Sequence, residues 1–128
     1  MLAENTVLTG RRAITRSYAK INLTLDVLSK RENGYHDIKM IMQTVSLFDL
    51  ILVDKTHRGI SISTNLPYLP CNEKNIAYKA ADAFFKATGI RGGAKIVIHK
   101  NIPVAAGLAG GSGNCAAVLT AMNMLHGN

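Results

Sequence analysis

The sequence predicts an α+β domain of two layers, in which helices pack on one side of a sheet. Strand-like stretches fill its first half, and two helical patterns separated by one short strand fill its second. At 128 residues, 48% of them hydrophobic, the chain is long enough for one domain with its own core. We therefore expect a single domain over residues 11–128, preceded by a loose arm or extra edge segment over residues 1–10.

Two strands are predicted in the first third of the chain. Apolar and polar residues alternate over residues 13–28, which is typical of a half-buried strand. The polar stretch 29–34 ends in Asn-Gly and predicts a turn. Residues 35–47 then resume the strand pattern. The apolar face of the first strand consists of Ile21, Leu23, Leu25 and Val27.

A hairpin is expected after these two strands. The pattern places Asp49 at a turn, the two arms at residues 50–54 and 59–64, and the connection at residues 55–58. Two prolines between residues 66 and 72 then predict a loop.

Two helices with a strand between them are predicted in the second half. The first helix spans residues 74–88, with Asn72 as its N-terminal cap and Gly89 at its end. A strand follows over residues 94–100, then a glycine-rich turn and a helix of about 13 residues, roughly 20 Å long. The apolar stripes are Ile76, Ala77, Ala80, Ala81, Phe84 and Phe85 in the first helix, and Ala117, Val118, Ala121, Met122 and Leu125 in the second.

The charge distribution favours an anionic partner. The formal net charge is +7 and the pI is about 9.7, although a basic soluble protein of any function would show the same values. The last acidic residue is Asp82, so residues 83–128 contain neither Asp nor Glu. A phosphate bound there would meet no local repulsion, but it would find no local carboxylate to hold a metal or take a proton.

Cysteine usage and hydropathy predict a cytoplasmic protein without a membrane partner. Cys71 and Cys115 belong to no CxxC or Cys/His cluster, which argues against a disulfide framework or a zinc site. Two free thiols fit a reducing compartment. No apolar run is long enough to span a bilayer, and the N-terminal residues do not resemble a secretory signal.

The glycine-rich stretch Gly107–Gly113 predicts an anion site. Its four glycines let the backbone approach a ligand, and the helix that follows adds unpaired N–H groups and the positive end of its dipole. Phosphate is the usual ligand of such a site. The stretch is not a Walker A loop, because no Gly-Lys-Ser/Thr follows. Ser112 and Asn114 are placed either to cap the helix or to reach a phosphate or its Mg²⁺.

The same stretch carries a family resemblance. Pro103-Val-Ala-Ala-Gly-Leu-Ala-Gly-Gly-Ser-Gly-Asn resembles the P-x-x-x-G-L-x-G-S/G-S phosphate loop of the GHMP small-molecule kinases. Tyr18-Ala-Lys-Ile-Asn-Leu and Gly34-Tyr-His-Asp resemble one member, which phosphorylates a cytidine diphosphate derivative in isoprenoid biosynthesis. The resemblance implies the family's N-terminal domain, a two-layer sandwich similar to a ribosomal-protein domain, and phosphoryl transfer from ATP with Mg²⁺.

The resemblance implies substrate-side roles for four residues. Lys20 matches the family's active-site lysine, which would neutralise the transferring phosphoryl or activate the acceptor hydroxyl. Asn22 matches a substrate-contacting asparagine, and Tyr35 and His36 match residues that hold the cytidine by stacking and hydrogen bonds. Without the resemblance, Lys20 would be a solvated strand lysine and the Tyr-His pair an ordinary surface feature.

It also implies nucleotide-side roles. Asn75 and Lys100 match positions near the adenine, although by residue type they would be a helix N-terminal residue and a strand-end charge. The positions that match the phosphate loop and its flanks are Pro103, Gly107, Leu108, Gly110, Gly111, Ser112, Gly113 and Asn114.

Two departures from the family pattern bear on activity. Gly113 stands where many relatives have a second serine, which removes a hydroxyl and predicts a softer turn. The family's catalytic aspartate lies in a downstream Gly-x-Asp-x-Pro segment that residues 1–128 do not contain. We therefore expect an N-terminal part of a longer kinase, without its C-terminal domain and with little turnover alone.

Two other functions remain open at this point. Another GHMP kinase, acting on a sugar, homoserine or mevalonate, would share the phosphate loop but not the Gly-Tyr-His motif. A basic domain of this size can also bind RNA, but the 15 basic residues are dispersed and aromatic residues are few, so no nucleic acid partner is expected. Exposure of Val118, Met122 and Leu125 would favour a homodimer.

Overall fold

A computed structural model describes residues 5–30, 36–103 and 110–127, and for residues 20–30, 36–45, 110 and 112 it describes the backbone alone. Within these ranges the chain forms five strands and two helices, which confirms the α+β class. In chain order they are β1 (Thr6–Thr9), β2 (Arg12–Lys30), β3 (His36–Thr56), β4 (Gly59–Thr64), α1 (Ile76–Thr88), β5 (Gly93–His99) and α2 (Gly110–Leu125).

The strands form one sheet in the order β1-β2-β3-β5-β4, in which only the β4–β5 pair is parallel. The predicted hairpin between residues 50–54 and 59–64 is therefore wrong, because β5 lies between those strands. Its insertion aligns Ile96 with Val53 on one side and Ile62 on the other, and all three are buried. A parallel pair needs a crossover connection, and α1 supplies it.

β3 runs without a break through Asp49, so the predicted turn at that residue is wrong. Asp49 pairs with Ser17 of β2 and is fully buried. β2 is nearly as long, and its pairing with β3 shifts register between Tyr18 and Lys20 and at two later points. The predicted apolar face over residues 21–27 concerns side chains outside those described.

β1 forms one edge of the sheet. It pairs only with β2 among the described strands, and the hydroxyls of Thr6 and Thr15 lie 2.9 Å apart across that pair. Residues 6–9 are thus the extra edge segment that was one of the two expectations for residues 1–10. The domain boundary after residue 10 remains a prediction.

α1 begins two residues later than predicted, because its N-terminal cap is Asn75. Asn75 Oδ1 accepts a hydrogen bond of 2.8 Å from the N–H of Ala77, whereas Asn72 makes a tight turn just before the helix. The predicted C-terminal cap is confirmed, since Gly89 has a φ of 70° that an L-residue adopts with strain. Ile76 is exposed and does not belong to the apolar stripe.

α2 packs on β2 and α1, and its buried stripe closes the core. Val118 is 0% and Met122 1% exposed, so the exposure that would favour a homodimer is not found at these two residues, and Leu125 is half-buried. The helix begins at Gly110, inside the predicted glycine-rich turn, and spans 16 residues. Neither described helix is long and apolar enough to cross a lipid bilayer.

Candidate active site

The predicted phosphate site is represented by the N-terminal end of α2. The helix starts on Gly110 and Gly111, and its first turn carries no acidic residue. Gly111 is exposed, and Ser112 lies in the same turn with its side chain outside the description. Gly107 and Leu108 lie outside the described residues. The free N–H groups and positive dipole end of such a helix start attract an anion.

Gly113 lets the first turn of α2 approach β2 closely. A Cβ built on Gly113 would lie 2.7 Å from Ser17 Oγ, closer than side-chain carbons approach a hydroxyl. The expectation that Gly113 softens a turn is therefore wrong, because the residue lies in a helix and provides clearance for a strand. Ser17 is 1% exposed, and its hydroxyl has no hydrogen-bond partner in the part of the chain that is described.

The contact between Gly113 and Ser17 brings the start of α2 to β2, the strand that carries the predicted catalytic lysine. Lys20 lies in β2 opposite Thr44, three residues beyond Ser17 and hence about 10 Å along the strand. Asn22 follows on the same strand, opposite Met42. The side chains of Lys20 and Asn22 are not described, so their roles remain predictions.

The predicted cytidine-binding residues lie at the far end of the same ladder. His36 is the first residue of β3 and pairs with Lys30, ten positions beyond Lys20 on β2. Backbone pairing therefore does not place His36 beside Lys20. Tyr35 lies outside the described residues, and the side chain of His36 is not described.

Asn75 uses its amide for local structure. Besides capping α1, its Nδ2 donates a hydrogen bond of 2.9 Å to the carbonyl oxygen of Pro70, and the residue is 8% exposed. The interpretation as a helix N-terminal residue is confirmed. Its place near an adenine remains a prediction.

Lys100 is held by a buried acid. Its Nζ lies 2.6 Å from Asp49 Oδ2, and the two side chains are 6% and 0% exposed. Lys100 is thus a charge at the end of a strand, as its residue type suggested, and it is buried against an acid. Asp49 Oδ1 also accepts hydrogen bonds of 2.7 and 2.8 Å from the N–H groups of Asn101 and Ile102.

A second side chain holds the same segment from the opposite side. Asn65 Oδ1 accepts a hydrogen bond of 2.7 Å from the N–H of Lys100, and its Nδ2 donates one of 3.1 Å to the Lys100 carbonyl. Asn101 Nδ2 also donates to the carbonyl oxygen of Phe48. The backbone from Lys100 to Ile102, which leads into the glycine-rich stretch, is therefore fastened from both β3 and the end of β4.

Sequence reasoning missed both Asp49 and Asn65. A signal for Asp49 was present, because it shares strand parity with Ile51 and Val53, and an acid on an apolar strand face needs a buried partner. Asn65 gave no comparable signal, since asparagine is common in loops.

The two residues that flank the glycine-rich stretch have different surroundings. Pro103 is exposed and directly precedes the residues that are not described. Asn114 is 4% exposed and is the fifth residue of α2, so its predicted role as a helix cap is wrong. Its predicted approach to a phosphate is untested.

Comparison with known proteins identifies the fold. Residues 75–128 match the family model of the GHMP kinases N terminal domain. The crystal structure of a 4-(cytidine 5'-diphospho)-2C-methyl-D-erythritol kinase superposes with a TM-score of 0.73 at 38% sequence identity, covering 88% of this chain and 40% of that one. This is the fold of a GHMP kinase N-terminal domain.

Curated relatives of this chain extend the match towards the N-terminus. The 4-diphosphocytidyl-2-C-methyl-D-erythritol kinase of Clostridium kluyveri is 52% identical over 113 residues, which is 88% of this chain and 40% of that protein. The enzyme of the same name from Clostridium perfringens is 56% identical over 111 residues, 86% of this chain and 38% of that protein. The chain is homologous to these kinases and spans about two fifths of their length.

A more distant structure shows the fold alone. Homoserine kinase from Cytophaga hutchinsonii superposes on this chain with a TM-score of 0.73 at 21% identity, covering 95% of this chain and 38% of that one. The fold is therefore shared by kinases with different acceptors, and the acceptor must be argued from residues.

Proposed function

We propose that this chain supplies the ATP-binding part of a kinase that transfers the γ-phosphoryl of ATP to the 2-hydroxyl of 4-diphosphocytidyl-2-C-methyl-D-erythritol. The observation that carries the proposal is the 52–56% identity, over most of the chain, to kinases with that name. In the transfer, the acceptor oxygen forms a bond to the γ-phosphorus, the bond to the β-phosphate oxygen breaks, and ADP leaves.

The geometry of α2 supports ATP as the phosphoryl donor. Its glycine start, its acid-free first turn and the absence of Asp and Glu from residues 83–128 suit a polyphosphate. Ser17 and Gly113 bring that helix start close to β2, so that Lys20 on the same strand can act on the transferring group. The protein's contribution is then positioning and charge stabilisation, as in phosphoryl transfer generally.

We propose that Mg²⁺ binds together with ATP. The metal prefers oxygen ligands and in kinase sites combines phosphate oxygens and water with one or two carboxylates. Among the side chains that the structure describes, no three His, Cys, Asp or Glu cluster as metal ligands. Asp49 is already engaged by Lys100, Asn101 and Ile102. We therefore assign the metal to the ATP phosphates.

The setting and partners follow the same proposal. A cytidine diphosphate derivative is the small-molecule partner, held by Tyr35 and His36. Cys71 and Cys115 are free thiols, which fits a reducing cytoplasm. A homodimer has no support from Val118 and Met122, which are buried against the chain's own core.

Ligand binding by the 128-residue chain is the first test. Calorimetric titration should show binding of ATP and, independently, of cytidine diphosphate, because the two occupy different parts of the site. We expect little turnover from this chain alone, since no acid follows Asp82 to take the acceptor's proton. Salt-sensitive binding of generic RNA with no response to ATP would contradict the proposal.

A chimera tests the transfer itself. Joined to the remaining three fifths of the Clostridium kluyveri relative, the chain should phosphorylate 4-diphosphocytidyl-2-C-methyl-D-erythritol but not homoserine or mevalonate. In that chimera Lys20→Ala should lower kcat by about 10²–10³. Lys95→Ala is the matched control, because Lys95 is an exposed lysine of β5, and it should leave kcat unchanged. Equal losses for both variants would remove Lys20 from the mechanism.

A further inference from the structure

We infer that Asp49 is a positioning residue for the phosphate loop, which it fixes by holding the backbone of Asn101 and Ile102 through one carboxylate oxygen. The inference rests on the proposed function, since it concerns how the chain presents its glycine-rich stretch to ATP. Nothing in the family resemblance or in the comparisons assigns a role to this residue.

The two oxygens of Asp49 have separate tasks. Oδ1 accepts from the N–H groups of Asn101 and Ile102 at 2.7 and 2.8 Å, so it contacts the backbone that enters the loop. Oδ2 accepts from the Lys100 ammonium at 2.6 Å. That ammonium neutralises a carboxylate that is fully buried, where an isolated charge would be costly.

The position of Asp49 explains why it can act as an anchor. It lies in a strand at the centre of the sheet, and Ile102 beside it is 1% exposed. Pro103 follows at once and is exposed, so the chain leaves the core within one residue. Asp49 therefore holds the chain at Asn101 and Ile102, the two residues that precede Pro103.

Asn65 completes the anchor from the other side. The N–H and the carbonyl oxygen of Lys100 are both hydrogen-bonded to the side-chain amide of Asn65. The Lys100 side chain is turned into the core by Asp49 and the Lys100 backbone is occupied by Asn65. Lys100 therefore contributes to nucleotide binding chiefly by supporting the loop, and its ammonium is not a free adenine-facing donor.

The test compares the affinities for ATP and adenosine in Asp49→Ala, Asp49→Asn and Asp54→Ala. A loss of folded protein lowers the apparent affinity for both ligands by the same factor. A displaced loop lowers only the affinity for the ligand that carries phosphates. We expect Asp49→Ala to lower the affinity for ATP by about tenfold or more, because a preorganised contact is lost, and to change the affinity for adenosine by less than about threefold.

Asp49→Asn separates anchoring from charge. Both Asp49 variants lose the ion pair to Lys100, but the asparagine amide keeps an oxygen that can accept from Asn101 and Ile102. It should restore most of the ATP preference, although it stays less stable than the wild-type chain because the charge that pairs with Lys100 is gone. Asp54→Ala removes an acid from the same strand outside the site and should change neither affinity. Parallel losses of ATP and adenosine in Asp49→Ala, or no rescue by Asp49→Asn, would overturn the inference.

Amide hydrogen exchange keeps the inference testable if the proposed function fails or Asp49→Ala does not fold. In the unliganded wild-type chain the N–H groups of Asn101 and Ile102 should be protected, and Asp49→Asn should keep that protection. Asn65→Ala, a change at an exposed residue, should lower the ATP preference without exposing these two amides. Wild-type protein that ignores ATP overturns the proposed function, whereas unprotected amides at Asn101 and Ile102 overturn the anchor.

Discussion

Two aspartates of β3 make the same type of ion pair in opposite environments. Asp54 accepts a bidentate pair of hydrogen bonds from Arg12, at 2.7 and 3.0 Å, on the open face of the sheet. Asp49, five positions earlier and thus on the other face, is buried with Lys100 beneath the helices. Among the described residues, Asp54 accepts side-chain hydrogen bonds from Arg12, whereas Asp49 also accepts hydrogen bonds from the backbone of Asn101 and Ile102. Burial and the number of dependent donors, more than the distance between charges, determine what an ion pair contributes.

Removing each acid should show the largest difference. Asp49→Ala removes a buried carboxylate that pairs with a buried ammonium and accepts from two backbone N–H groups, so we expect a loss of about 3–5 kcal/mol in the free energy of unfolding. Asp54→Ala leaves an arginine that is half exposed to water, and its effect should be a small fraction of that. Urea unfolding followed by circular dichroism measures both, and similar losses would refute the comparison.

Two glycines of α2 allow a position packed against β2 to be compared with an exposed one. Gly113→Ala places a methyl group 2.7 Å from Ser17 Oγ, and such overpacking should cost about 1–3 kcal/mol. Gly111→Ala is the matched control, since a Cβ there meets nothing within 4 Å. Alanine favours a helix over glycine, so this variant should gain up to about 1 kcal/mol. Thermal unfolding decides the point, and a gain in both variants would exclude the close contact.

The pH dependence of stability should give the smallest effect. The contributions of His126 and Asp54 should appear in different pH ranges. His126 lies against Phe84 and Phe85, and burial, with a smaller contribution from Lys55, lowers its pKa below 6.5. The unfolded chain therefore takes up the proton first, and stability falls as the pH drops through and below 6.5. His126→Phe should flatten urea midpoints measured between about pH 7.5 and pH 5.5.

Asp54 acts in a lower pH window. The hydrogen bonds from Arg12 lower its pKa below 3.8, so its contribution is present above that pH and is lost as the pH falls through the folded-state value. Asp54→Asn should therefore leave the slope near neutral pH intact and alter only the acid limb. An Asp54→Asn protein that lost the near-neutral slope would contradict the assignment of that slope to His126.

Features that depend on neighbouring residues could be predicted from the sequence. Gly89 was found as a helix end because a left-handed residue is needed there, and Ile96 and Ile98 were found by alternation. Asn72 was mistaken for the cap because two asparagines lie within one turn of the helix start and both make turn hydrogen bonds.

Features that depend on distant partners could not be predicted in this way. The hairpin failed because β3 and β4 have a suitable short connection, and nothing local shows that β5, nearly 30 residues further on, fits between them. The same distinction holds for the residues of the candidate site. Lys20, Gly110 and their neighbours carry recognisable motifs, whereas Asn65 acquires its role only when the fold brings Lys100 to it.

The insertion of β5 also orders events in time as the chain is made. β4 ends at Thr64 and β5 ends at His99, so the ribosome adds 35 further residues before the gap beside β3 can be filled, roughly 2–7 s of synthesis. Until then β3 has an open hydrogen-bonding edge of the kind that recruits foreign strands. The middle of the sheet is thus completed after its flanks, and a nascent chain stalled before Gly93 would expose the seam on which the mature core depends.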